Sequence, residues 1–390
     1  MEYQSEPLNP IEAVFHPDPY PYYASLVKNR PIYYDQTLRA WVVSSATMIS
    51  KVLAMPQARV RPVTEPVPGP FLGAPLGQIF SQLIRMNDGK LHDELKPVVL
   101  KALGETNPHI LIRLCQRHCQ LLMNAPEALT KPGELIVFAF RLPVYVLLGL
   151  MGFEYDCLPQ TYSWLTDFAQ ALANPSDQLE KANAGAENLV EAFNALISAE
   201  RSGTDNNIVE RLAREIEMSS YGKTVIAANA LGLLFQTYEA TAGLIGNSLV
   251  ALANFPEVRE KVLAKPELVT NLVQEVLRYD SPVQNTRRFL AEDTVLAGQA
   301  LKAGEMILLV LAAANRDPLL NPAPERFDLF RHNSRTFSFS SGSHACPGQS
   351  LAIQIAQVAV TELLQASLVP QSERGGILYR PSANIRMPVL

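Results

Sequence analysis

The chain has 390 residues, 48% hydrophobic and only 18% charged, with a formal net charge of −5. Average soluble domains carry roughly 25% charged residues, so this balance excludes a disordered chain and implies a large buried interior. The weak negative charge offers no electrostatic footprint for nucleic acid, and four cysteines are too few for a disulfide framework, which fits a reducing cytosol.

In chain order, the opening MEYQSEPLNPIEAVFHPDPYPYY has neither a basic n-region nor an apolar h-region, so no secretory signal is expected. Ala40-Trp41-Val42-Val43 reads as a short strand. Residues 61–80 hold five prolines and three glycines, which predicts an irregular loop, either a substrate lid or a surface meander. Apolar residues at helical spacing predict helices within 95–125, 160–200, 208–216 and 258–279. Cys115, His118 and Cys119 fall at i, i+3 and i+4 on the first of these. That spacing suits a metal, but no fourth ligand lies nearby, and ordinary core residues are the preferred reading. Met306–Val310 is a second short strand.

Between Thr224 and Pro256 stands a single charged residue, Glu239. A helix there is long enough to cross the protein and is buried on every side. Asn229, Gln236, Thr237 and Asn247 make it too polar for a membrane span. A lone buried glutamate is costly unless it is paired, solvated or functional. Glu239 is therefore a site candidate, or else the partner of a nearby Arg or Lys. With no repeat and no linker, the expectation is one mainly α domain with a minor β region, spanning 1–390, soluble and cytoplasmic.

Phe339-Ser340-Ser341-Gly342-Ser343-His344-Ala345-Cys346-Pro347-Gly348 is a glycine-punctuated loop that delivers one cysteine just before an apolar helix. Backbone N–H groups and the positive helix end stabilise a thiolate there. Such a thiolate serves as a nucleophile or as a metal ligand. The loop resembles the haem-binding F-x-x-G-x-H-x-C-x-G of the cytochrome P450 family, matching at Phe339, Gly342, His344, Cys346 and Gly348. Ser340 departs from it, since many members have glycine there. Glu275 and Arg278 match the family's E-x-x-R, with Arg326 as the expected third member of a buried structural cluster. Arg288 and His344 stand at haem-propionate positions. His92 and Lys96 resemble an H-x-x-x-R clamp, with lysine in place of arginine.

The resemblance implies a P450 fold with a long helix over haem b, Cys346 as axial thiolate, and a monooxygenase acting on a small organic, specialised-metabolite substrate. It also implies electrons from a separate ferredoxin and ferredoxin reductase, with no fused reductase, no membrane and no nucleic acid. The distal motif A-G-x-[DE]-T-T reads Gln236-Thr237-Tyr238-Glu239-Ala240-Thr241 here. The acid is kept, the first threonine is alanine, and the Ala-Gly pair is Gln-Thr. Proton delivery assisted by substrate or by water is the expectation, with Gln236 and Thr237 shaping the pocket. The other readings are a hydrogen-peroxide-driven peroxygenase and a non-catalytic haem-binding protein. Pocket walls are expected from 61–85, 160–195, 234–241, Val283–Thr286 and Ser382–Ile385.

Overall fold

The segment around Glu239 folds as one α-helix, Lys223–Asn254, of 32 residues, about 48 Å long at 1.5 Å per residue. It is buried from Val225 to Leu234 and again from Thr241 to Ala253, while Phe235, Gln236, Thr237, Glu239 and Ala240 stay partly open. A helix apolar on all sides needs neighbours on all sides, and the rest of the chain supplies them. This computed structural model describes residues 6–124, 133–173, 179–198, 207–217, 221–370 and 377–390.

In chain order the larger helices are α1 (Pro75–Gln82), α2 (Lys90–Gly104), α3 (Pro108–Met123), α4 (Glu134–Leu150), α5 (Leu158–Ala173), α6 (Leu179–Ser198), α7 (Ile208–Glu217), α8 (Lys223–Asn254), α9 (Val269–Tyr279) and α10 (Gln349–Gln365). The core joins α8 to α4, α6, α9 and α10. Among the described residues, no helix is long and apolar enough to cross a membrane.

Several boundaries differ from the sequence expectation, each for a local reason. The helix expected over 95–125 is two. Asn107 caps the second by accepting from the His109 N–H at 2.9 Å, and Pro108 takes its first position, where a missing N–H costs nothing. Pro266 divides 258–279 in the same way, between Pro256–Ala264 and α9. Residues 160–200 hold α5 and α6; positions 125, 174–178 and 199–200 of the expected helices lie outside the described residues. The irregular stretch 61–80 ends early, because Pro75 opens α1. A Cβ at Gly77 would lie 2.0 Å from the Phe71 carbonyl oxygen, so only glycine lets the preceding loop fold back onto α1.

The strands are β1 (Ile32–Asp35), β2 (Ala40–Val43), β3 (Ala58–Arg59), β4 (Thr286–Leu290), β5 (Thr294–Leu296), β6 (Gln299–Leu301) and β7 (Met306–Leu309). Five form one sheet in the order β1-β2-β7-β4-β3, with β2 and β7 parallel and the other neighbours antiparallel. The two expected strands, β2 and β7, are its centre. Strands β5 and β6 form a separate hairpin, turned by Ala297 and Gly298 at φ of +51° and +80°, the backbone that a two-residue hairpin loop demands.

Two buried ion pairs lock this frame. In the first, Arg278 is fully buried and donates to Glu275 at 2.6 and 2.9 Å. Its remaining donors reach the carbonyls of Pro324 and Arg326 at 2.8 and 2.9 Å. The third arginine is not Arg326, as the sequence suggested, but Arg331, whose Nε lies 3.2 Å from Glu275 Oε1. Arg326 contributes its carbonyl and leaves its side chain exposed. The loop after Phe327 turns back on Asp328, whose N–H donates to the same Glu275 oxygen at 2.9 Å, and that turn brings Arg331 inward.

The second pair was not foreseen. Buried Arg386 donates to Asp280 at 2.7 Å and to the carbonyls of Val14, His16 and Pro17 at 3.1, 2.6 and 2.9 Å. Tyr20 and Tyr379 donate their hydroxyls to the same carboxylate. Around this knot the backbone of Asn384 accepts from the Gln284 N–H at 2.8 Å, and Ala383 from the Asn285 side chain at 2.8 Å. The final turn of the chain is thereby fixed beside 282–286.

Removing one partner of a buried pair strands the other, at a cost of roughly 3–5 kcal/mol. Glu275→Ala is expected to give insoluble or cofactor-free protein, and Arg331→Ala to lower the melting temperature well beyond Arg326→Ala. A soluble Glu275→Ala protein with unchanged Tm, or equal losses for the two arginine variants, would refute this assignment.

Candidate active site around Cys346

Cys346 stands three residues before the first residue of α10, on a loop held by its own backbone: its N–H donates to the Phe339 carbonyl at 2.8 Å, and the Ala345 N–H to Gly342 at 3.1 Å. Gly342 has φ of +72°, and a Cβ there would meet the Leu53 carbonyl at 3.2 Å, so this position requires glycine for two reasons. Ser340 also sits in the left-handed region, at φ of +59°. Its hydroxyl is buried without a partner among the described residues. This is the position where the motif usually has glycine.

Burial pushes the Cys346 thiol up, while the Gly348 N–H and the Lys96 and Arg85 charges pull it down. The other cysteines differ. Burial drives Cys115 up to about 12 and, with the Cys115 and Glu362 charges, raises Cys119 as well, while desolvation, helped by Arg117, takes His118 down to about 4. His118 stacks on Tyr155 and sits edge-on to Tyr145. Neutral side chains in a packed core explain this trio, and no group of three metal-binding residues occurs among the described residues.

Cations reach this region from three elements, and the charges of two of them, Lys96 and Arg85, act on Cys346. Lys96, on α2, donates to the Ala345 carbonyl. Arg288 is the inward residue of β4, where the pleat leaves Arg287 exposed because successive side chains alternate faces. It donates to the Arg287 carbonyl at 2.8 Å. Arg85, in the turn Ile84–Met86, feels the charges of Cys346 and Arg288. Burial lowers the pKa of all three cations, although Arg85 keeps much of its surface open. A side chain both desolvated and open faces an interior cavity.

His92, on α2, is buried and lies against His344 with ring centroids 4.2 Å apart. Its Nδ1 meets Asp93 at 3.2 Å, and its Nε2 is buried without a partner. His344 Nε2 meets Asp88 at 3.0 Å, and Asp88 also accepts the Val60 N–H at 3.0 Å. Burial opposes its ionisation, but these bonds hold Asp88 below the usual carboxylate range. Desolvation pulls His344 down despite Asp88, which favours the neutral ring. The cluster thus has three cations, Arg85, Lys96 and Arg288, against one carboxylate. Arg85 and Asp88 were not among the predicted site residues; the signal lay in the run Arg85-Met86-Asn87-Asp88 ahead of the His92 helix.

The residues fit haem. An excess of buried cations and the orphaned His92 Nε2 suit a planar ligand with two carboxylates, and a soft sulfur beside them suits its iron.

On the other side lies the open middle of α8. Gln236 Nε2 donates to the Gly232 carbonyl at 2.7 Å. Ala240 lies at i+4 from Gln236 and i+3 from Thr237, on roughly one face. Thr241 is buried, about 100° around the helix from Ala240. Glu239 has no hydrogen bond or ion pair among the described residues; burial raises its pKa and only the Arg380 charge opposes this. Neither reading of Glu239 as a simple ion-pair partner nor as a fully solvated group describes it. Of the expected pocket walls, Val283–Thr286 and Ser382–Ile385 do meet, through the Val283–Ile385 bridge, and 174–178 lies outside the described residues.

A family model for Cytochrome P450 matches residues 160–374. The biotin biosynthesis cytochrome P450 of Bacillus subtilis (strain 168) is 27% identical over 356 residues, 90% of this chain and 89% of that protein. The solved structure of CalO2 superposes with a TM-score of 0.86 at 23% identity, covering 98% of this chain and 97% of that one. That of P450BioI, in complex with acyl carrier protein ligated to hexadec-9Z-enoic acid, has a TM-score of 0.80 at 26% identity, covering 95% and 96%.

The two left-handed positions of the cysteine loop make opposite predictions. Ser340→Gly removes an unfavourable backbone conformation and a buried orphan hydroxyl, and is expected to stabilise the protein by about 1 kcal/mol. Gly342→Ala adds strain and a clash, and is expected to destabilise it. Denaturation midpoints check both; a lower midpoint for Ser340→Gly would contradict the strain argument.

Proposed function

The chain belongs to the cytochrome P450 family, a family of haem monooxygenases, and on that premise we propose a role for each residue of the site. The observation that carries the assignment is Cys346, an interior sulfur that receives the Gly348 N–H and the charges of Lys96 and Arg85. Cys346 holds the haem iron as thiolate, and the Gly348 N–H and the α10 terminus disperse its negative charge. Haem, when bound, supplies the redox iron and the oxygen chemistry. His92, through its free Nε2, and Arg288 hold the two propionates. His344 braces His92 by stacking, and Lys96 contributes charge while its ammonium clamps the Ala345 carbonyl. Phe339 accepts the Cys346 N–H and so sets the direction of the sulfur.

The distal face works without the usual alcohol. Ala240 donates nothing, and Thr241 points away from it. Thr237 and Gln236 border the same space, with one amide hydrogen of Gln236 committed to Gly232. Glu239, raised by burial and unpaired, is the local store of a proton. The hydroxyl or water that passes this proton on belongs to the substrate, which is a small functionalised organic molecule. The biosynthetic naming of the Bacillus subtilis relative supports a role in biosynthesis, and we take the substrate to be a specialised metabolite. Electrons come from a separate ferredoxin and its reductase in the cytoplasm.

Two measurements test this reading. Cys346→Ser is expected to lose the carbon-monoxide difference band of a thiolate-ligated haem, whereas Cys115→Ser, Cys119→Ser and Cys157→Ser keep it; an intact band in Cys346→Ser would sink the proposal. For the distal face, Ala240→Thr is expected to improve the coupling of NADPH use to product for substrate analogues that lack a polar group, more than for the natural substrate. If Thr237→Val alone abolishes coupling with the natural substrate, the hydroxyl is the protein's own and the substrate-assisted route is wrong.

A further inference from the structure

Among the described residues, one cation of the Cys346 cluster has nothing to bind. Lys96 donates to Ala345 and Arg288 to Arg287, but Arg85 makes no hydrogen bond, ion pair or ring contact. Its backbone is nevertheless held firmly. Asn229 of α8 accepts the Ile84 N–H at 2.9 Å and donates to the Gln82 carbonyl at 2.9 Å. A Cβ at Gly232 would come within 2.7 Å of Leu83 Cδ2, so this glycine lets the turn lie directly on the helix. Asn229, Gly232 and Gln236 share one face, at i, i+3 and i+7. The turn that carries Arg85 therefore rests on the helical face that opens into the cavity at Gln236 and Ala240.

We propose that Arg85 is the docking point for a carboxylate on the substrate, so that this enzyme oxidises an organic acid held by its anionic end. The proposal rests on the haem-thiolate reading and adds the substrate class. A carboxylate in this cavity has two sources, the substrate and the haem itself. On that reading the haem's two carboxylates are held by His92 of α2 and Arg288 of β4, with the charge of Lys96 beside them. Arg85 comes from a separate turn seated on α8. A desolvated guanidinium with all five N–H donors free is the side chain best suited to take a carboxylate in a bidentate fork. Ala240 on α8 and Val283, both partly open, offer apolar surface to the rest of such a molecule.

The test compares straight-chain acids from hexanoate to hexadecanoate with their methyl esters, by optical titration of the haem spin state in the holoenzyme. The same titrations are made on Arg85→Gln and Arg85→Lys, and haem content is measured for all three. In the unmodified enzyme at least one acid is expected to bind roughly tenfold or more tightly than its ester, the size of one charge-assisted contact. Arg85→Gln should erase that preference and Arg85→Lys should keep part of it, all with equal haem content. The proposal is overturned if no acid binds, if acid and ester bind alike, or if the preference survives in Arg85→Gln. Loss of haem in Arg85→Gln also overturns it, assigning the guanidinium to a propionate. A missing carbon-monoxide band in the unmodified enzyme would instead refute the haem-thiolate reading beneath it.

Discussion

Positive charge buried around one sulfur is the constraint on which the rest of this structure depends. Arg85, Lys96 and Arg288 are all desolvated, and Asp88 is the single carboxylate set among them. Desolvating a cation costs several kcal/mol unless an anion compensates it. A fold cannot carry three such charges together for packing alone. The arrangement suits a ligand that brings negative charge into the interior, and a thiolate that adds its own. A ligand of that kind offsets the cost of holding these charges together.

The two buried ion pairs solve a different problem, that of holding distant segments in register around the site. Glu275 gathers Arg278, Arg331 and the Asp328 N–H, and so fixes the loop that leads towards Cys346. Asp280, five residues further along the chain, gathers Arg386, Tyr20 and Tyr379. It ties residues near both ends of the chain to the strand β4 that carries Arg288. Arg316 lies between the rings of Tyr20 and Tyr279, 3.5 and 3.6 Å from their centroids, and extends the same knot. Both acids sit on or just after α9, a short helix whose role is to distribute fixed charge.

What the sequence made legible depended on how local the physics was. The long apolar helix and the strands β2 and β7 follow from residues within a turn or two of one another, while the cysteine loop and the Glu275–Arg278 pair were legible through their resemblance to family motifs. Arg331 was missed in favour of Arg326 because the choice depends on how the chain turns at Asp328, which no spacing rule encodes. The Asp280–Arg386 pair joins residues 106 positions apart, and neither residue stands in a motif. Arg85 fell at the end of the expected pocket wall 61–85, with no role of its own. Its isolation became visible once Asn229 was seen to pin its turn against α8. Conversely, Ser340 was marked in the sequence as a departure, and its left-handed backbone gives that departure a physical meaning.

The open middle of α8 shows how one helix serves two opposed demands. Its ends bury every residue from Val225 to Leu234 and from Thr241 to Ala253, which fixes the helix rigidly. Between them the polar residues Gln236, Thr237 and Glu239 can stay unburied only because a cavity adjoins them. Replacing the usual alcohol by Ala240 makes that opening less polar at its centre, while Gln236 and Thr237 make it more polar one turn earlier. Arg85 sits on the side of that earlier turn, over Asn229 and Gly232. Polarity has therefore moved along the helix, away from Ala240 and towards the end where a guanidinium waits. A ligand matched to this gradient places its anion near Arg85 and its least polar part beside Ala240.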